Sequence, residues 1–137
     1  MLGLGLVALS VLAAATAPAT PHPCYDWIAV GALTKQTYRG VPEATSDALF
    51  VDGLFDWQVR VRATLMGRSG PNRLNLRAFA HTELPPSAAS RVILFIAYAD
   101  DETPVLVDWR VLQDEQGDWR RQALHVAQEH GLARCPS

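Results

Sequence analysis

Apolar and polar residues alternate along this chain most regularly between residues 55 and 65. Every second residue there is apolar, and the residues between are polar or charged. The apolar positions are Phe55, Trp57, Val59, Val61, Ala63 and Leu65. Successive side chains of a β-strand point to opposite faces. The alternation therefore predicts a long antiparallel strand that covers a core on one face and meets water on the other.

A second alternating segment, residues 74–81, follows after a turn rich in glycine, proline and asparagine. Two amphipathic strands joined by a short turn predict a β-hairpin, in which the polar faces of the strands lie side by side. That face carries Arg60, Arg62, Arg77 and Phe79. We predict that these four residues form a ligand-binding site, because arginine and aromatic side chains together suit an anionic ligand.

Three further segments predict strands. Residues 26–38 begin with an apolar run, and residues 91–99 are apolar on both faces, which is typical of strands covered on both sides. Gly31 interrupts the first run and predicts a bulge or a bend. Residues 105–112 alternate again and predict the fifth strand. Its inward positions are Val105, Val107, Trp109 and Val111, with Asp108 and Arg110 outward.

One helix is predicted near the end of the chain, over residues 119–130. Asp118 is a favourable N-cap, and Gly131 is the residue type at which helices commonly end. One side of the helix is apolar at helical spacing and is expected to pack on the sheet. This side consists of Trp119, Ala123, Val126 and Ala127.

A long connection, residues 39–53, is predicted between the first strand and the long amphipathic strand, because glycine, proline and polar residues dominate it. Within it, residues 48–51 (A-L-F-V) form either a short strand or a buried anchor. Loops of this length often carry function. The loop is therefore a second candidate binding element.

The chain begins with a segment typical of a secretory signal, residues 1–19. Residues 2–15 are almost unbroken apolar sequence, which falls short of the roughly 20 residues of a membrane span. Residues 17–19 (A-P-A) fit a cleavage site, as do residues 13–15 (A-A-A). An uncleaved anchor or a misassigned start is the alternative. We predict that residues 20–137 form one exported domain without a membrane span, secreted or periplasmic in a bacterium.

Two cysteines, Cys24 and Cys135, lie at opposite ends of this domain. Disulfides persist in exported compartments, and a bridge between these two would close a loop of about 110 residues. Free thiols or metal ligands are the alternatives, although two cysteines alone do not make a structural zinc site. We predict a Cys24–Cys135 disulfide that ties both ends of the chain to one body.

The order of the elements, five strands and then a helix, resembles a five-stranded barrel of the oligonucleotide/oligosaccharide-binding (OB) type. Four segments within residues 24–112 are similar to the netrin-like modules that include the tissue inhibitors of metalloproteinases. They read D-W-I-A-V-G, F-D-W-Q-V-R-V-R-A-T-L-M-G, N-R-L-N-L-R-A and S-R-V-I-L-F-I-A. The resemblance implies a mainly β fold, namely a five-stranded antiparallel OB-like (netrin-like) barrel with one C-terminal α-helix.

The same resemblance implies a protein-binding role but does not extend to metalloprotease inhibition. In those inhibitors the first residue of the mature chain is a cysteine, whose amine and carbonyl chelate the zinc of the target. Neither cleavage site makes Cys24 the first residue, and the C-x-C opening of the inhibitors is missing.

Composition narrows the classes of function. Hydrophobic residues make up 49% and charged residues 19% of the 137 residues, which indicates one folded domain and excludes a disordered chain. The formal net charge of -2 predicts no general attraction to nucleic acid or to anionic membranes.

Recognisable catalytic motifs are missing from the sequence, including G-x-S-x-G, H-E-x-x-H and a phosphate-binding glycine loop. His125 and His130 do not share a helix face, because their directions diverge by about 140° at 3.6 residues per turn. The acidic residues 100–102 supply too few ligands for calcium. We therefore predict no enzymatic activity, no metal and no cofactor.

Three hypotheses on function remain. The first is a non-enzymatic β-barrel that binds a protein or an envelope component through the hairpin face or through the loop at residues 39–53. The second is a binder of anionic ligands that uses Arg60, Arg62 and Arg77. The third is a small hydrolase of unfamiliar type, which requires a deep pocket that holds a histidine, His81 or His125, beside a carboxylate.

Overall fold

A computed structural model describes residues 23–41 and 52–136 of the protein. The predicted signal at residues 1–19 and the predicted loop residues 42–51 lie outside the described residues. The described part is mainly β, as the sequence predicts. Its elements are β1 (Cys24–Tyr25), β2 (Trp27–Gly40), β3 (Gly53–Gly67), β4 (Arg73–Ala80), α1 (Pro86–Ala89), β5 (Val92–Tyr98), β6 (Pro104–Val111), α2 (Trp119–Glu129) and β7 (Ala133–Arg134).

Five strands form one antiparallel sheet in the order β4-β3-β2-β5-β6, and β3 and β4 make the predicted hairpin. The two edge strands, β4 and β6, contact each other. The indole N–H of Trp109 on β6 donates a 3.0 Å hydrogen bond to the carbonyl of Phe79 on β4. The sheet therefore curls until its edges meet, and within residues 23–41 and 52–136 the edges share no backbone ladder.

Two apolar clusters cover the two faces of this sheet. The first lies inside the curl and includes Trp27, Trp57 and Leu94. The second lies between the sheet and α2 and includes Ile28 and Phe95. Neighbouring residues of β5 and of residues 27–32 of β2 thus belong to different clusters or are buried, which confirms that these segments are covered on both sides. Burial of each such aliphatic or aromatic side chain contributes about 1.5–3 kcal/mol.

A bulge in β3 transfers the strand from one cluster to the other. Val30 and Gly31 of β2 pair with Ala63 and Val61, so Arg62 is an extra residue in the ladder. The irregularity predicted at Gly31 is confirmed as a register shift between Val30 and Gly31, with the extra residue on the facing strand. A Cβ atom there would lie 2.6 Å from Val59 Cγ1, which explains the glycine. The predicted single dry face is wrong beyond this point, because Leu65 packs against the second cluster rather than the first.

The inward face predicted for β6 is right at Trp109 but wrong at Val105 and Val107. Phe95 and Ile96 of β5 pair with Asp108 and Leu106, so Val107 is the extra residue of a second bulge. Leu106 and Trp109 pack against the first cluster, Val107 packs against the second, and Val105 is 47% exposed. One added residue reverses the alternation, because side chains on a strand have a period of two.

The C-terminal helix α2 follows its prediction closely. The side chain of Asp118 accepts a 3.0 Å hydrogen bond from the backbone N–H of Arg121, as an N-cap should. Ala123, Val126 and Ala127 are buried in the second cluster, and Trp119 packs beside them. The short helix α1 was not predicted. Neither helix of the described residues has the length and apolar character needed to cross a membrane.

The predicted disulfide joins Cys24 and Cys135, with Cα atoms 4.7 Å apart. Next to it, β1 and β7 form a two-stranded parallel sheet. The backbone N–H of Cys135 also donates a 2.8 Å hydrogen bond to the carbonyl of Tyr25. The chain that follows α2 is therefore fixed beside the start of the sheet.

Replacement of both cysteines by serine is expected to lower the free energy of unfolding by up to about 4–5 kcal/mol, because the bridge restricts a loop of 111 residues in the unfolded chain. Urea denaturation of the oxidised protein and of the double variant measures the difference. Equal midpoints and equal slopes would contradict this role of the disulfide.

Gly67→Ala is expected to destabilise the protein much more than Gly40→Ala. Both glycines have positive φ, +84° and +102°, which costs an alanine about 1–2 kcal/mol. At Gly67 the added Cβ would also lie 2.1 Å from the carbonyl oxygen of Asp26, whereas at Gly40 no heavy atom of the described residues lies within 4 Å. Chemical denaturation compares the two variants, and similar losses would show that the contact with Asp26 is unimportant.

Candidate functional site

Strand pairing arranges the outward residues of β2, β3 and β4 in four rows across one face. Directly opposite residues on antiparallel strands have Cβ atoms about 4.5–5.5 Å apart. The rows are Ala32–Arg60–Arg73, Lys35–Gln58–Asn75, Thr37–Asp56–Arg77 and Gly40–Leu54–Phe79. We call this surface, together with Arg39, the cationic face.

The last third of β2 also contributes to this face. Two of its residues, Gln36 and Tyr38, point to the other side of the sheet. The amide of Gln36 exchanges hydrogen bonds of 2.8 and 2.9 Å with the backbone of Leu84, in the connection after β4. The ring of Tyr38 packs against Phe55, with centroids 5.4 Å apart. The residues that alternate with these two, including Lys35, therefore lie on the outward face.

Two shallow grooves run over the cationic face, with volumes of about 440 and 400 Å³. Five cationic residues line them: Lys35, Arg39, Arg60, Arg73 and Arg77. Asp56 is the one acidic residue among the described residues of these linings. A protein with a formal net charge of -2 thus concentrates much of its positive charge on three strands.

Arg60 and Arg73 lie directly opposite each other at one end of this face. Like charges in that position repel each other and destabilise a sheet. In the described part of the chain, neither guanidinium has an acidic group within 4.0 Å. An anion bound between them would remove the repulsion, which makes this pair the strongest sign of a ligand site.

Asp56 compensates part of the charge further along the face. Its carboxylate lies 2.6 Å from Nε of Arg39 and 3.7 Å from Nε of Arg77. One carboxylate shared by two guanidinium groups gives this trio a net charge of +1. The side chain of Arg77 is 78% exposed and remains accessible to a ligand.

The structure does not bring Arg62 to the cationic face, although the sequence predicts it there. Its guanidinium donates hydrogen bonds to Glu115 (2.8 Å) and to the carbonyl of Ser90 (2.9 Å), and it lies 5.0 Å from the ring centre of Trp119. The bulge at this residue is the physical reason, because it turns the side chain toward α2. Arg62 therefore holds the helix region against the sheet.

Of the other predicted site residues, Arg60 and Arg77 share the cationic face, and Phe79 lies at its far end with 53% of its surface exposed. Sequence reasoning missed Arg73, Lys35 and other members. Arg73 continues the alternation of β4 by one step and was detectable. Lys35 was not, since both faces of β2 are polar at that point and give no hydrophobic signal.

A second cluster of charges, at the turn between β5 and β6, is internally compensated. The Arg68 guanidinium pairs with Glu102 and lies 4.0 Å from the ring centre of Tyr98. Burial raises the pKa of Tyr98 above its ordinary value. Because Glu102 is engaged with Arg68, the acidic residues 100–102 do not form a set of free carboxylates.

His81 and His125 do not line the deep pocket that a hydrolase requires in the part of the chain that the structure describes. His81 lies 3.0 Å from Asp52, and His125 lies 2.7 Å from Glu129, but both imidazoles are about 70% exposed. Shallow depressions of about 270 and 240 Å³ adjoin them. Among the residues that the structure describes, no three histidine, cysteine or acidic side chains are grouped so as to hold a metal ion.

His130 has a structural partner instead. Its Nδ1 lies 2.5 Å from a carboxylate oxygen of Asp108, and Nη2 of Arg110 lies 2.7 Å from its Nε2. These contacts join the end of α2 to β6. The imidazole is therefore occupied by two neighbours and serves the packing of the helix on the sheet.

Comparison with protein-family models, with curated proteins and with solved structures finds no match for this chain. Function is therefore inferred from the residues of the site.

Arg60→Glu and Arg62→Glu are expected to change stability in opposite directions. The first replaces a repulsion by a cross-strand ion pair with Arg73, worth roughly 0.2–1 kcal/mol in favour of folding. The second removes the hydrogen bonds and the aromatic contact of Arg62, which costs about 1–2 kcal/mol. Urea denaturation at low salt gives both values. Equal losses would mean that Arg60 also supports the fold.

Proposed function

We propose that this protein is an exported binding module that takes up an anionic ligand on its cationic face. The observation that carries this proposal is the opposed pair Arg60 and Arg73, which has no acidic partner among the described residues. The repulsion between the two arginines destabilises the sheet, so the pair requires an explanation other than stability. Binding of an anion between the two guanidinium groups is the simplest one.

Among the three hypotheses from the sequence, the face favours the anionic ligand. Arginine side chains bind carboxylate, sulfate and phosphate groups through paired hydrogen bonds. The grooves are open and polar, unlike the apolar centre that marks most sites for protein partners. The exposed histidine–carboxylate pairs supply no buried site for hydrolysis.

The order of the strands supports an OB-like fold, which is part of this proposal. Counted from β2, the first three strands pair in sequence, the fourth pairs with the first, and the fifth returns to the edge of the third. OB folds bind their ligands on the face of the second and third strands. Those strands are β3 and β4, which carry most of the cationic face. The netrin-like resemblance of the sequence agrees with the same arrangement.

Export supports the choice of partner. The Cys24–Cys135 disulfide is of the kind that persists in oxidising compartments, and residues 1–19 have the composition of a secretory signal. An exported protein encounters the anionic polymers of the cell envelope and its surroundings. We propose an anionic envelope component as the partner, without catalysis and without a cofactor.

Retention on immobilised heparin, used as a model polyanion, tests this function. The oxidised domain is expected to bind at low salt and to elute as salt rises, because exposed charges are screened within about 8 Å at 0.15 M. The double variant Arg60→Glu/Arg73→Glu should pass through the column. The matched control is Arg120→Glu/Arg121→Glu, which makes the same change of charge on the exposed side of α2.

Retention of the control together with loss of binding by the first variant is the expected result. If the two double variants elute alike, the interaction depends on net charge rather than on the cationic face. If the native domain itself is not retained at low salt, the proposed function is wrong.

A further inference from the structure

The cationic face changes in chemistry along the hairpin. Arg60 and Arg73 form a dicationic end, and the next row carries the two amides of Gln58 and Asn75. The third row contains Asp56 and Arg77, and the fourth ends at Phe79. Six residues of strand separate the first row from the last, which is about 20 Å at 3.4 Å per residue.

We infer that the ligand is an acidic oligosaccharide that lies along this hairpin, an inference that rests on the proposed function. An acidic group of the sugar chain binds between Arg60 and Arg73. The hydroxyl groups of the following sugars contact Gln58 and Asn75. The apolar face of a sugar ring packs against Phe79.

The position of Asp56 disfavours a polymeric ligand that carries a negative charge on every repeating unit. Its carboxylate lies in the middle of the cationic face, between the dicationic end and Phe79. Arg39 and Arg77 leave a net positive charge around Asp56, but a polyphosphate or a nucleic acid strand that follows the hairpin would also place an anionic group beside this carboxylate. A glycan whose acidic sugars alternate with neutral ones can place hydroxyl groups there, and a carboxylate accepts hydrogen bonds from hydroxyls.

The amide row fits the same ligand. Gln58 and Asn75 are cross-strand neighbours on β3 and β4, and both are exposed. Each side-chain amide offers two donors and an acceptor, and each hydroxyl group of a sugar both donates and accepts. Lys35 adds further donors from the same row. This mixture suits a polyhydroxylated segment better than a bare anion, which only accepts.

Phe79 provides a fixed apolar surface at the end of the cationic face. The residue is 53% exposed, whereas its carbonyl accepts a 3.0 Å hydrogen bond from the indole N–H of Trp109. An exposed phenylalanine on a polar face gains free energy when apolar C–H groups cover it. The ring planes of sugars present such groups, and phosphate chains do not.

Isothermal titration calorimetry with three probes tests the inference. The probes are a hyaluronan hexasaccharide, which has a carboxylate on every second sugar, a polyphosphate of equal charge, and an uncharged chitin hexasaccharide. The variants Asn75→Ala and Phe79→Ala alter the proposed sugar contacts, and Asn72→Ala, in the turn before β4, is the matched control. Thermal melting of each variant checks that it is folded.

The expected result is binding of the acidic hexasaccharide and not of the uncharged one. Asn75→Ala and Phe79→Ala should each weaken that binding by about tenfold, the equivalent of one hydrogen bond to a ligand or one ring contact, and should leave polyphosphate unaffected. Asn72→Ala should match the native protein.

Two other results separate failure of the carbohydrate inference from failure of the proposed function. If polyphosphate binds more tightly than the hexasaccharide and neither variant changes affinity, the ligand is a simple polyanion; the carbohydrate inference then fails and the proposed function stands. If neither anionic probe binds at low salt and Arg60→Glu/Arg73→Glu changes nothing, the proposed function fails as well.

Discussion

The pairing of β2 with β3 is the interaction on which both the core and the cationic face depend. The two strands run together from Trp27 and Gly67 to Gly40 and Leu54, with four register shifts. The first part of this pair is covered on both sides by apolar clusters. The second part is covered by the first cluster on one side only, and there its outward side chains are free to meet a ligand. A single ladder therefore joins the part of the sheet that is buried on both sides to the candidate site.

The bulge at Arg62 divides these two parts. On one side of it, Arg60 lies on the outward face opposite Arg73. On the other, the strand turns toward α2, and Arg62 itself pairs with Glu115. Two arginines separated by one residue thus have different surroundings, and we propose a role in stability for Arg62 and in recognition for Arg60. Their ion pairs distinguish them, because Arg60 has no acidic partner in the described part of the chain and Arg62 has one.

The sequence predicted most of the fold because its signals were local. Strict alternation identified the hairpin, continuous apolar runs identified β2 and β5, and Asp118 marked the start of α2. The predictions that were wrong concern the faces of Leu65, Val105 and Val107 and the position of Arg62. Gly31 indicated the first bulge but not the extra residue on the facing strand, and the composition of β6 gives no sign of its own bulge. The site was predicted in part for the same reason. Arg60 and Arg77 followed from alternation, whereas Lys35 depended on the pairing of β2 with β3.

We propose that an anion binds between Arg60 and Arg73, and an NMR titration can locate it. Backbone ¹H–¹⁵N spectra of the oxidised domain would be recorded as a heparin-derived oligosaccharide is added at low salt. We expect the largest shifts on residues 58–60 and 73–77, and we expect 0.5 M salt to abolish them, since the Debye length is then only a few ångströms. Shifts centred on α2, or spread evenly over the domain, would contradict this proposal.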